Sequence, residues 1–249
     1  MTYGLAVGPD VHVRDLADWF VLGARLQRTL SMPFRVSVYD DVDELHRAYR
    51  SGTVDLVLAN AADTAVLVRE QGFRPLLRPR GVADEACIVA AAASLFARVE
   101  DLARPLAVAA TGAPDVDRIC RILLEPADLS ADDLRTVACR NYTLVAKAVL
   151  TGQVHVGFFL KAAFDDLTPA VRAGLRELIS SQIHVVSHCL LAGPALAPFG
   201  DALAGLIEGL ADEEAAQRLL VGLGAPLGWE RVSAEDVEFM IDLMDALAG

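Results

Sequence analysis

The residues best suited to hold a small molecule lie where apolar runs break off. Leu106 to Ala110 (LAVAA) is a strand-like run that stops at Thr111 and Gly112, and Pro114 then opens the helical pattern DVDRICRILL. Proline suits the first helical position, where its missing N–H has no partner to lose. The free backbone N–H groups and the positive dipole end of that helix would then point beyond the strand. With the Thr111 hydroxyl and the Gly112 backbone, this end can hydrogen-bond an anionic or polar group. Tyr39 and Asp40 close another run, FRVSVY; either could meet a ligand, and Asp40 or Asp41 equally suits a helix N-cap. Asn60 ends VDLVLA with an amide that both donates and accepts, capping being its competing role. Asn141, Tyr142 and Thr143 open a later helix and carry the same two readings.

His12 follows the Gly8-Pro9 turn, which puts it at the mouth of a cleft. His155 alternates with Val154 and Val156 along a strand, where a hydrogen-bonded structural role competes with ligand contact. Phe158 and Phe159 end the same strand; one can stack on a ligand, here taken as Phe158, while the other packs in the core. His184 and His188 share a face at a four-residue step. The run HVVSH lacks the glutamate of HEXXH, however, and only Cys189 stands nearby, so no metal site is expected. No GxSxG, GxGxxG or Walker phrase occurs, and no cofactor is expected.

The elements that would position these residues alternate in type. Strand-like runs at 3–8, 34–39 and 54–59 are each followed by a helical pattern, the signature of a parallel sheet with helices on both sides. Two extended segments follow, 74–77 and 85–91, and then the series restarts with strands at 106–110, 136–139 and 154–159. Two short helices and a strand at 183–191 lead into a helical C-terminal third. Its stripe of Leu196, Phe199, Leu203, Leu206 and Leu210 marks one helix face, and Ser233 to Asp236 resembles a capping box opening the last helix. One extended segment leaves the first α/β set and another returns from the second. The expected architecture is therefore two-lobed, each lobe a mainly parallel sheet with helices on both faces, joined by two hinge strands. Residues 1–90 and 190–249 form a discontinuous lobe 1, with 91–189 inserted as lobe 2. Ligands of open α/β sheets sit outside the carboxyl ends of the strands, which is where the candidate residues cluster.

Composition narrows the partners. A net charge of −12, with Lys147 and Lys161 as the only lysines, argues against nucleic acid or an anionic membrane surface. Although 54% of the residues are hydrophobic, no uncharged apolar run reaches the roughly 18 residues of a spanning helix. The opening MTYGLAVGPDVHVRD has no basic stretch followed by an apolar one, so a cytoplasmic location is expected. Four cysteines without CxxC spacing read as reduced thiols.

The order of elements and five phrases resemble the phosphate/phosphonate-type ABC-transporter substrate-binding proteins, which have the type II periplasmic-binding-protein fold. The phrases are DELHRAYRSGTVDLVLANAADTAVLVREQG, LFARVEDLARPLAVAA, LSADDLRTV, AKAVLTGQVHVGF and GWERVSAEDVEFMIDLMDAL. The resemblance implies a head-group site at the strand-helix turn, where the family carries a Ser-Thr-Ser-Gly-like run and this chain has Thr111-Gly-Ala-Pro114. It also aligns His155 with a family aspartate that can meet a ligand amine, and Tyr142 with a polar cleft residue. Asp115 and Asp117 in the first helical turn favour the helix dipole but oppose a bound dianion.

The expected function is binding of a small polar ligand, oxyanions among the candidates, by a cytoplasmic sensor or carrier whose partner is an ABC transporter or a signalling protein. One alternative is an enzyme on the same fold, like the menaquinone-pathway dehydratases or pyrimidine-forming proteins, with Asp40, His155 and Tyr142 to test. The other is an interaction protein with a degenerate cleft. Fold alone does not decide among them, and binding is favoured over catalysis because no acid-base pair is brought together by the pattern.

Overall fold

The computed structural model describes residues 2–9 and 16–247, so His12 lies outside them. In chain order the elements are β1 (Tyr3–Val7), α1 (Leu16–Leu30), β2 (Phe34–Val38), α2 (Val42–Arg50), β3 (Leu56–Ala59), α3 (Ala61–Gln71) and β4 (Arg74–Pro79). Then come β5 (Ala86–Ala91), β6 (Leu106–Ala110), α4 (Pro114–Leu123), β7 (Leu134–Ala138), α5 (Tyr142–Leu150), β8 (Val156–Leu160), α6 (Lys161–Asp165), α7 (Pro169–Arg172) and β9 (Leu175–Ser180). The chain closes with β10 (Cys189–Ala192), α8 (Gly200–Glu208), α9 (Gln217–Gly222), β11 (Trp229–Arg231) and α10 (Ala234–Ala246). Two compact units result: Met1–Ala83 with Val185–Asp245, and Asp84–His184 with Ala246–Gly249.

The first unit holds a six-stranded sheet in the order β11-β4-β10-β3-β1-β2. β1 pairs in parallel with β2 and β3, while β10 and β11 run antiparallel to their neighbours. Leu5, Val7, Leu56 and Leu58 point to one face, where they share a core with Trp19, Leu22 and Leu26 of α1 and with Leu203, Ile207 and Leu220. Period-2 alternation sends Ala6, Val57 and Ala59 to the other face, so both faces need cover and both strands read as unbroken apolar runs. Gly4 has a packing reason: a Cβ there would lie 2.0 Å from the carbonyl oxygen of Thr53. Its N–H instead donates to the Asp55 carboxylate at 2.8 Å. At the last helix, Asp236 N–H donates to Ser233 Oγ at 3.0 Å, and Val237, Met240, Ile241 and Met244 are buried. The expected C-terminal stripe is interrupted: Leu196, Leu203 and Leu210 are buried, but Phe199 remains 39% exposed.

The second unit holds a five-stranded sheet in the order β7-β6-β8-β5-β9. β6 is parallel to β7 and β8, and β5 is antiparallel to β8 and β9. These pairings place β5 in the second unit, so the crossings fall at 83/84 and 184/185 rather than at the expected 90/91 and 189/190. The two expected short helices are α6 and α7, and β9 is a strand that follows them with no counterpart in the sequence reading. It is a half-buried edge strand without apolar alternation, and Arg176 fastens it by donating to the carbonyls of Ala92 and Phe96. The strand expected over 183–191 is confined to Cys189–Ala192. His184 has φ +62, a left-handed conformation that breaks extended structure before it.

Candidate functional site

In each sheet the chain leaves its first parallel strand toward one side and returns on the other. β1 is flanked by β2 and β3, and β6 by β7 and β8. A crevice outside the carboxyl ends of such strands is where open α/β sheets bind ligands. In the first unit these ends carry Gly8 and Asn60; in the second they carry Thr111, Gly112 and Lys161.

The second-unit end is built around the start of α4. Gly112 has φ +79 and is exposed, and a Cβ placed there would meet nothing within 4 Å. The left-handed conformation favours glycine, and it turns the chain from β6 into the helix. Thr111 Oγ1 lies 3.4 Å from the Ala113 N–H, a long contact. Ala113 is the N-cap and has no side chain to accept from the first turn, with Pro114 following. Three of the other helices that follow strands, α2, α3 and α5, are capped by their own residues, whereas α6, entered from Leu160, has no side-chain cap. Asp41 accepts from Glu44 N–H, Asn60 from Asp63 N–H and Asn141 from Leu144 N–H. An uncapped helix start beside a glycine turn can receive an anion through backbone N–H groups and the helix dipole.

Charge around α4 is mixed. Asp115 is buried in its first turn, and Asp117 follows. Burial pushes the Asp117 carboxyl up, with Arg121 offsetting part of the effect. Asp117 Oδ1 has no hydrogen-bond partner among the described residues. On this side of the helix a cavity of about 510 Å³ is lined by Asp117, Arg118, Arg121, Ile122 and Leu129, among others.

The remaining candidates divide. Tyr39 is half-buried at the end of β2, and its N–H donates to Val7 O at 3.0 Å. Asp40 is exposed beside the capping Asp41, while Asn60 is buried and spends its side-chain oxygen on the cap. Thr143 is exposed in the first turn of α5. Tyr142 belongs to the packing: its ring stacks on Phe159 at 5.7 Å and 24°. Phe158 is 2% exposed in the middle of β8 and is a core residue.

His155 lies at the amino end of β8, where its N–H donates to Ala107 O at 2.9 Å and its Nδ1 accepts from Ala107 N–H at 3.0 Å. Ala107 and Thr111 are four residues apart on β6, about 13 Å along a strand. His155 therefore serves the strand ladder at the far end of the sheet from Gly112. Among the described residues no group of three His, Cys, Asp or Glu side chains could hold a metal ion.

Two cations at the carboxyl end escaped the sequence reading. Lys161 opens α6, but its ammonium is paired with Asp165 at 2.5 Å and Glu177 at 3.6 Å. Arg140 is exposed between β7 and the cap Asn141 and makes no ion pair with a described residue. Its only sequence signal was adjacency to the capping run CRNYT.

Comparisons with known proteins agree with this architecture. No curated protein matches the chain. Among solved structures, PhnD1 of Prochlorococcus marinus in complex with methylphosphonate is 12% identical, covers 99% of this chain and 98% of its own, and has a TM-score of 0.80. A binding-protein component of an ABC phosphonate transporter from Pseudomonas aeruginosa is 12% identical, with coverages of 100% and 89% and a TM-score of 0.74. The aliphatic sulphonate binding protein SsuA of Escherichia coli is 15% identical, with coverages of 99% and 86% and a TM-score of 0.67. The sequence pattern described as "ABC transporter, phosphonate, periplasmic substrate-binding protein" matches residues 5–237, and the chain belongs to that family.

Proposed function

We propose that this protein binds a small, singly charged oxyanion at the amino end of α4 and supplies it to an ABC transporter, with the two crossings at 83/84 and 184/185 acting as hinges. The observation that carries the reading is the uncapped start of α4, entered through Gly112 in a left-handed turn with open space above it. Arg140 is the counter-charge at the same end of the sheet. Asp115, buried in the first helical turn, disfavours a second negative charge on the ligand. Two of the structural relatives are named for phosphonate and one for sulphonate, both oxyanion classes.

The test is a thermal-shift and calorimetric panel of methylphosphonate, methanesulfonate and inorganic phosphate at fixed ionic strength. A ligand at 100 times its dissociation constant stabilises the folded state by about 2.7 kcal/mol, a readily measured rise in melting temperature. The expected order is methanesulfonate or methylphosphonate ahead of phosphate. If none of the three shifts the melting temperature at millimolar concentration, the oxyanion reading is wrong.

A further inference from the structure

The second unit begins at Asp84 and its main segment ends at His184, so Glu85 and His184 stand beside the two crossings. The Glu85 carboxylate gathers the returning segment. It accepts from the Ser181 hydroxyl, from Ile183 N–H at 3.0 Å and from His184 N–H at 2.7 Å. Ser181 Oγ in turn accepts from Ala86 N–H at 3.0 Å, and Ser181 N–H donates to Ala86 O at 2.9 Å. Lys161 N–H donates to the Glu85 carbonyl at 2.7 Å, which ties the same residue to the end of β8. His184 is held at φ +62, uncommon for a residue with a side chain. The two segments thus meet on one side chain, and the returning one carries a backbone conformation that needs holding.

We infer that Glu85 is the latch of the hinge: its carboxylate holds residues 181–184 in one conformation and so limits how freely the two crossings flex. This rests on the hinge reading above but on no particular ligand. Hinges are a few residues that absorb large backbone changes. His184 is such a residue, and Glu85 holds its amide. Glu85→Gln keeps the volume and one acceptor oxygen but removes the charge that strengthens all three bonds. Ser181→Ala removes the hydroxyl's bond to Glu85 together with the one it accepts from Ala86 N–H, and leaves the two backbone donors to the carboxylate.

The test uses the full chain without ligand, so a failed oxyanion screen leaves it intact. Cys139→Ser removes the one cysteine that is not buried, and spin labels are attached at Arg50→Cys and Gln153→Cys, both exposed positions. Backbone exchange over 181–187 and the width of the label-to-label distance distribution are then read together. The expected result for Glu85→Gln is at least tenfold faster exchange with a broadened distribution, and Ser181→Ala falls between it and the parent. Circular dichroism confirms that each variant is folded, and Ser181→Ala carries the test should Glu85→Gln unfold. Unchanged exchange, or faster exchange with an unchanged distribution, overturns the latch.

Discussion

Replacing Gly112 by alanine isolates the turn on which the proposed site depends. A Cβ at this position meets nothing within 4 Å, so the change adds no clash. The cost is conformational: a side chain at φ +79 costs about 1–2 kcal/mol. For a chain of this size that lowers the melting temperature by about 2–8 °C. Gly152 is the matched control, with φ +69 and the same open space, but it follows α5 and precedes the amino end of β8. Gly112→Ala and Gly152→Ala should therefore lose similar stability in urea or thermal unfolding. Only Gly112→Ala should also weaken methylphosphonate binding, about tenfold or more, because relaxing the turn re-aims the N–H groups at the start of α4. Equal affinity in the two variants would refute the placement of the site, and no loss of stability in either would refute the strain argument.

Arg140→Gln should weaken oxyanion binding about tenfold, the worth of one charge-assisted hydrogen bond, and flatten its salt dependence in calorimetry, while leaving the melting temperature of the free protein nearly unchanged. Asp117→Asn should raise stability at pH 7. A carboxyl whose folded pKa lies above its unfolded one stabilises only at low pH and loses that contribution as pH rises through the folded value. The gain should therefore vanish in melts run at about pH 3, below the ordinary aspartate value. Glu85 has the opposite sign. Burial pushes it up, but the bonds from Ser181, Ile183 and His184 outweigh this and hold it below the ordinary glutamate value. Its contribution is present above the unfolded pKa and lost as pH falls through the folded one. The stability gap between parent and Glu85→Gln should be widest near neutrality and close in acid.

The parallel cores of both sheets were legible because β1, β3, β6 and β8 are covered on both faces and read as unbroken apolar runs. The antiparallel edges were not. β9 (LRELIS) is half-buried along most of its length, and Trp229–Arg231 is too short to carry a period. Lobe boundaries went astray at β5 because an apolar run does not say which sheet it joins; its ladder to β8 does. The turn at Thr111 and Gly112 was readable from the strand-turn-helix order and the proline. The side chain of Tyr142 was not, since only the packed unit reveals its stacking on Phe159. For His155 the alternation with Val154 and Val156 left a hydrogen-bonded structural role and ligand contact both open; the strand begins one residue later, which puts it at the amino end, bonded to Ala107. Arg140 was passed over because a lone exposed arginine carries no pattern.

The position of β10 has a consequence for biosynthesis. It is hydrogen-bonded between β3 and β4, yet in the chain it follows every strand of the second sheet. A ribosome therefore finishes β5 to β9 while β3 and β4 still lack the neighbour that joins them. Until residue 192 has emerged, the edges of β3 and β4 that face β10 remain open to foreign partners. Translation that stops at residue 184 would leave all five strands of the second sheet beside a first sheet that still lacks β10 and β11.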